Sequence, residues 1–337
     1  MGWHSNIACA RIGVLDATGT RPKSSRFLPL NTLAYWLVRG LIAGVQSLPL
    51  ATVAWLGRVG AHVGWWIDRR HRGVAIDNLT RAFGGGMSAT EIHTLARENY
   101  LRLGVNYLCL VKTASMSAAQ MQRHLEWSGL ERLTQADGRC GVIAIGHFGN
   151  FELFERLPEA RPDLRFTSTY RALRQPLFDD LMQEFRTRFG MTFFERRAGG
   201  SALKGELANG SSWLVLLADQ HAGAKGVWLP FLGRDCACSA SPAVMALRYQ
   251  RPLLTAICYW LGPTRWRIEI GEEIPTRAAG RRRSVEAITR ELNAVYETAI
   301  RRAPANWFWV HRRWKPPSEF QGHGNARHGA PAATEAD

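Results

Sequence analysis

Several things are scarce or missing in this 337-residue chain. It has six cysteines (Cys9, Cys109, Cys140, Cys236, Cys238 and Cys258) but no C-x2-C pair, and no histidine-rich segment accompanies Cys236-Ala-Cys238. That argues against a zinc site and for reduced, buried thiols in a cytosol-facing protein. No Gly-x-Ser-x-Gly elbow is present, so a serine acyl-enzyme of that kind is not expected. Acidic side chains are outnumbered, 28 Asp+Glu against 43 Lys+Arg, which leaves a net charge of +15. Such a surface suits an anionic partner: nucleic acid, lipid headgroups or an acidic protein. The nucleic-acid option finds no zinc finger, RNP-type aromatic block or Gly-x-x-Gly clamp in a suitable context, so no nucleic acid is expected.

Charge is nearly absent from Leu28 to Ile67, where only Arg39 and Arg58 carry any. Within this stretch Gly40–Gly57 is a charge-free window of 18 residues, which as a helix would reach about 27 Å. Gln46, Ser47 and Pro49 weaken it. Three forms stay open: one marginal spanning helix, two interfacial helices broken near Pro49, or a buried helical hairpin. The first two anchor the chain to a membrane and are preferred. Tryptophans beside arginines or at the ends of apolar runs (Trp36, Trp65, Trp66, Trp309, Trp314) suit a membrane interface. No clean small-x-small cleavage site follows the apolar stretch, so a removed signal peptide is not expected.

The most informative segment is Gly141-Val-Ile-Ala-Ile-Gly-His147-Phe-Gly-Asn-Phe-Glu152. Val142–Ile145 has strand composition, and Asn150 is placed as the N-cap of a helix Phe151–Leu157 stopped by Pro158. The turn between them holds His147 at a strand tip, where open α/β sheets place ligands. Glu152 would fix the imidazole tautomer and leave the other ring nitrogen as a base. The spacing alone is weak, because about one His-x4-acid match is expected by chance in such a chain. His93-x4-Glu98 is such a match, inside a helical pattern where five residues separate the side chains by about 140°.

Farther along, strand-like and helix-like segments alternate. The predicted elements are a helix Ala89–Lys112 opened by a Ser88/Glu91 capping box, a helix Ser117–His124 and strand Phe166–Tyr170. Helix Pro176–Phe189, strand Met191–Phe194, helix Ala202–Asn209 and strand Trp213–Ala218 follow. The last are helix Pro242–Tyr249, strands Leu253–Trp260 and Trp266–Gly271, and helix Val285–Arg302. The pattern predicts an α/β fold: a three-layer sandwich with a mostly parallel central sheet flanked by helices, plus an N-terminal apolar helical membrane anchor. Its expected divisions are a disordered basic N-terminus 1–26, an anchor 27–68, a catalytic domain 69–315 and a disordered tail 316–337.

Further blocks fall at strand ends: Tyr170-Arg171, Asp219-Gln220-His221-Ala-Gly223-Ala-Lys225, Pro230-Phe-Leu-Gly233 and Trp307-Phe-Trp309-Val-His311-Arg312-Arg313. With Asn78-Leu79-x3-Phe83 and the His147 motif, their order resembles the bacterial lipid A biosynthesis acyltransferase family over roughly Leu28 to Lys315. The chain departs from the family pattern at His221, at Cys236-Ala-Cys238-Ser239 and in the Phe83-Gly-Gly-Gly-Met87 loop. The resemblance implies transfer of an acyl chain from an acyl-carrier-protein or coenzyme A thioester to a glycolipid hydroxyl, without a further cofactor. His147 and Glu152 would be catalytic, the backbone N–H groups of Gly149 and Asn150 would hold the oxyanion, and Arg171, Asp219, Gln220, Lys225 and Arg312 would bind substrate. Arg313 and Lys315 are further phosphate candidates. The implied partners are acyl carrier protein, a glycolipid acceptor and a membrane surface, at the cytoplasmic face of the inner membrane. A phosphatidylinositol mannoside-like acceptor, or a non-catalytic lipid-binding protein, stands as the alternative.

Overall fold

A computed structural model describes residues 29–135, 140–173, 175–196 and 200–316. The expected disordered N-terminus, 1–26, and the tail beyond Pro316 lie outside the described residues. Two compact units are distinguished, residues 1–41 and 42–337. Of the first, only the opening part of helix α1 (Pro29–Ser47) is described. All that follows concerns the second.

Four helices come first: the end of α1, α2 (Leu50–Ile67), α3 (Arg69–Phe83) and α4 (Ala89–Thr113). The expected charge-free window does not form one helix. The break falls at Leu48-Pro49, because proline has no N–H to continue the ladder and instead sits at the N-cap of α2. No helix among the described residues is long and apolar enough to cross a membrane, so a spanning anchor finds no support there. α4 begins with the predicted capping box, Ser88 and Glu91 each bonding the other's backbone.

After α5 (Ala118–Met121) come β1 (Leu125–Ser128), α6 (Arg132–Gln135) and β2 (Val142–Ile145). A 3₁₀ turn (Phe151–Arg156) and α7 (Leu157–Ala160) stand where one helix was expected, with Pro158 inside the first turn of α7 rather than ending a helix. Then follow β3 (Phe166–Tyr170), α8 (Pro176–Arg186), β4 (Thr192–Glu195), α9 (Gly200–Asn209) and β5 (Trp213–Leu217). A hairpin, β6 (Val227–Phe231) with β7 (Arg234–Cys238), precedes α10 (Ser241–Tyr249), β8 (Leu253–Gly262) and β9 (Arg265–Ile270). Two short strands, β10 (Arg277–Ala278) and β11 (Arg281–Arg282), lead to α11 (Val285–Arg302), capped by Ser284.

Seven strands form the central sheet in the order β1-β9-β8-β2-β5-β3-β4. The five from β8 to β4 are parallel, while β9 pairs antiparallel with β8 and carries β1 beside it. The fold is therefore mixed α/β with a mostly parallel sheet, as the alternating pattern predicts. All four residues of β2 are buried, which explains their unbroken apolar character. Val142 and Ala144 face a core shared with α3, α9, α10 and α11. Ile143 and Ile145 face the other, shared with α2 and the 3₁₀ turn. Helices thus cover both faces of the sheet.

α2 and α4 pack at unusually close range. A Cβ built on either Gly57 or Gly104 would stand 2.7 Å from the other's carbonyl oxygen. Both neighbours are backbone and cannot rotate away. Gly104→Ala is therefore expected to destabilise the protein by about 1–3 kcal/mol. An unchanged denaturant midpoint would rule out this close contact.

Candidate active site

The parallel pairing of β2 and β5 assembles the centre. Ile145 lies opposite Leu217, so the second residue past each strand end, His147 and Asp219, also falls in register. The backbone N–H of His147 donates to Asp219 Oδ2 at 2.8 Å, and His147 Nδ1 lies 2.7 Å from Oδ1. The indole Nε1–H of Trp307 donates to Oδ2 at 2.7 Å. Asp219 has a fully buried side chain, whereas that of His147 keeps 15% exposure. Burial alone would raise the Asp219 pKa. The facing imidazole, its two hydrogen bonds and the indole outweigh burial and hold the carboxyl below its usual range. An ionised Asp219 can only accept, so Nδ1 carries a proton, and in the neutral ring Nε2 is the nitrogen with the lone pair. Phe151 meets the imidazole edge-on at 4.7 Å and Phe308 lies tilted at 5.7 Å, which shields it from water.

Asp219, not Glu152, makes the contact expected to orient the imidazole. Nδ1 belongs to Asp219, and no described bond joins Glu152 to His147. Glu152 lines a small cavity with Asn106, Tyr107 and Asn150. Its neighbour Glu155 is buried, and burial, then the charge and hydrogen bond of Glu152, push that carboxyl well above the usual range. Five residues of 3₁₀ and turn structure send the two side chains to different neighbours, a direction that spacing alone does not reveal.

The expected oxyanion donors divide. Gly149 N–H is spent on the carbonyl of Asn306 at 2.9 Å. The φ of Gly149 is +54°, and a Cβ there would meet the Cys258 carbonyl oxygen at 2.7 Å, so both conformation and space call for glycine. No described bond takes Asn150 N–H. The Asn150 side chain does not cap the following turn, and its buried Nδ2 has no described acceptor.

His147 and Gln220 line a cleft of about 950 Å³ together with Lys225. Leu203, Leu207, Leu214, Leu216, Val244 and Met245 supply apolar wall, while Arg196 and Lys204 add positive charge that the sequence reading had not selected. Arg171 is not among the lining residues; it is exposed past the end of β3 and makes no described ion pair. The cation near Tyr170 is Arg186, 5.1 Å from the ring centroid. Arg312 lines a separate cleft. Arg313 is fully buried and bonds the Ala237 carbonyl and Cys238 Sγ, at 2.9 and 3.2 Å, so it is no phosphate ligand. Cys238 Sγ also accepts from Asn293 Nδ2 at 3.1 Å. The facing Cys236 thiol, with Arg313 and Asn293, outweighs burial and lowers the Cys238 pKa.

The closing Trp307–Arg313 block is a strap that holds the site, not a strand. Phe148 forms a bridge with Trp307. Asn99 Nδ2 donates to the carbonyls of Ala305 and Trp307, and Asn78 Nδ2 to those of Trp309 and His311. Asn306 Nδ2 donates to the Cys258 carbonyl, and its Oδ1 accepts from Trp260 N–H. Sequence reading missed Trp307 as the carboxylate's third donor. The only sign was a tryptophan-rich block among strand-end motifs. Among the described residues, no three His, Cys, Asp or Glu side chains converge as a metal site would.

The family model described as bacterial lipid A biosynthesis acyltransferase matches residues 21–316. Two similar curated proteins are the lipid A biosynthesis palmitoleoyltransferase of Escherichia coli (strain K12) and the lipid A biosynthesis acyltransferase of Shigella flexneri. Each is 27% identical over 305 residues, covering 87% of this chain and 94% of the relative.

His311 stands beside the centre, its Nε2 accepting from the His221 N–H at 3.4 Å. Burial, with the charge of Lys315, pulls its pKa from 6.5 down to about 4, against the opposing pull of Asp219. A depressed folded pKa gives stability that is full above the unfolded value and is lost as pH falls through the folded one. Thermal unfolding should therefore show stability falling between about pH 6.5 and 4. His311→Gln should lose less over that window, and equal losses in the two proteins would exclude His311 as a cause.

Proposed function

The chain belongs to the bacterial lipid A biosynthesis acyltransferase family and is an acyltransferase; from that premise we propose that it moves a fatty acyl group from a thioester to a hydroxyl of a lipid A precursor, with His147 as general base. The observation that carries this reading is the Asp219–His147 pair, with His147 lining an apolar, cationic cleft. Nε2 takes the proton of the acceptor hydroxyl as its oxygen attacks the thioester carbonyl. The tetrahedral oxyanion forms beside Asn150 N–H. It collapses by breaking the C–S bond, and the leaving thiolate takes the proton back from Nε2. Asp219 stays ionised throughout and stabilises the imidazolium. No residue of the protein becomes acylated.

Two apolar surfaces lie near the histidine, one for each substrate: His147 lines the first, and Phe308, 5.7 Å from the imidazole, lines the second. The first is the leucine-lined cleft already described. The second is a groove of about 700 Å³ between α2 and α4, which reaches Tyr107, Phe308 and His311. Lys204, Lys225 and Gln220 serve the polar part of a substrate, and Arg171 stays available at the sheet edge. The surplus of positive charge suits acyl carrier protein as donor, with coenzyme A thioester the other choice. Trp55, Val59, Val63 and Trp66 are exposed at near-helical spacing on α2, together with Ile67. That face suits shallow insertion at the cytoplasmic side of the inner membrane rather than spanning.

Purified protein given an acyl thioester and a lipid A precursor should add one acyl mass to the acceptor. His147→Ala should slow transfer by about 10²–10⁴-fold; an unchanged rate would remove His147 from the reaction. Asp219→Asn keeps the shape of the side chain but removes the acceptor that fixes the imidazole tautomer, so it should slow transfer by about 10²-fold or more, while Glu152→Gln should not. The reverse result would return the orienting role to Glu152.

A further inference from the structure

Outside the catalytic cleft lies an open, strongly charged cleft of about 970 Å³ formed by α3, the β6–β7 hairpin and the chain from Arg312 to Pro316. Its walls carry Arg70, Arg81, Arg234, Arg312 and Lys315 against Asp77 and Asp235, a surplus of three positive charges. Two of the five cations are engaged: Arg81 pairs with Asp77 at 2.9 Å, and Arg234 Nε donates to the Arg81 carbonyl. The side chains of Arg70, Arg312 and Lys315 make no ion pair or hydrogen bond with any described residue. Two indoles complete the lining. Trp314 is fixed by its bond to the Phe231 carbonyl, and Trp228 is 41% exposed.

Like charges held together at rest cost free energy unless an anion joins them. Guanidinium groups match phosphate oxygens bidentately, and an open tryptophan face beside them suits a sugar or base ring. The cleft shares no lining residue with the catalytic one. The two are nonetheless neighbours along the chain. Lys225 lines the catalytic cleft and Trp228 this one, about 10 Å of extended chain apart. His311, which contacts the loop after Asp219, directly precedes Arg312.

We propose that this second cleft binds a phosphate ester carried by one of the two substrates, gripping it through Arg70, Arg312 and Lys315 while the reacting atoms lie at His147. The assignment rests on the acyl-transfer reading. Both substrate classes can bring the group: the thioester donor through its phosphorylated pantetheine arm, the acceptor through a phosphorylated sugar.

The test is calorimetric binding to the full chain of two probes, 4′-phosphopantetheine for the donor and glucosamine 1-phosphate for the acceptor. One probe should bind, and the double variant Arg70→Gln/Arg312→Gln should weaken it by about tenfold or more. Arg265→Gln, which removes a surface charge paired with Glu126 away from both clefts, should leave binding unchanged. Thermal melts of the variants establish that they are folded. Whichever probe responds names the substrate. The proposal is overturned if the wild type binds neither probe, if the double variant binds like wild type, or if Arg265→Gln weakens binding equally. A wild type that binds a probe but transfers no acyl group overturns the acyl-transfer reading and leaves the phosphate cleft standing.

Discussion

A buried carboxylate must be matched donor for donor, and the arrangement around Asp219 follows from that requirement. Leaving it unpaired inside the protein would cost several kcal/mol. Three N–H groups meet it: the backbone and ring of His147, and the indole of Trp307. Each donor belongs to a different constraint. The backbone bond fixes the turn after β2, the ring bond fixes the tautomer, and the indole fixes where the closing strap must lie. Removing the charge would therefore disturb turn, base and strap together, so their effects are not additive.

The strap is itself held by amides rather than by a sheet. Asn78 on α3 and Asn99 on α4 each reach two of its carbonyls, and Asn306 fills the gap between β8 and the glycine turn. Irregular backbone inside a protein needs such partners, because it has no ladder of its own. These three asparagines are all nearly fully buried. They join the helical layer to the turn that carries His147, so the position of α3 and α4 bears on the imidazole some distance away.

The parts of the fold set by local pattern were legible in the sequence. β2, β3 and α11 have the bounds expected of them, since apolar runs, a serine cap and a following proline mark their limits. β1 is only four residues long, and β6 contains Pro230, which speaks against a strand until the two-stranded setting is known. In the site, placement of His147 at a strand tip was legible because one continuous segment encodes it. Its pairing with Asp219 was not, because 72 residues separate them and only the β2–β5 register brings them level. Arg313 looked like a ligand because charge usually means surface. Its burial depends on the carbonyl of Ala237 and the sulfur of Cys238, neither of which is near in sequence.

The order of the three partners along the chain has a consequence for biosynthesis. His147 and Asp219 leave the ribosome well before Trp307. A nascent sheet can bring the first two level while the carboxylate still lacks its indole and the glycine turn still lacks Asn306. Until the strap arrives, that carboxylate stays open to water and the turn is free on one side. The full set of donors around Asp219 is thus assembled late in translation, although His147 emerges before the midpoint.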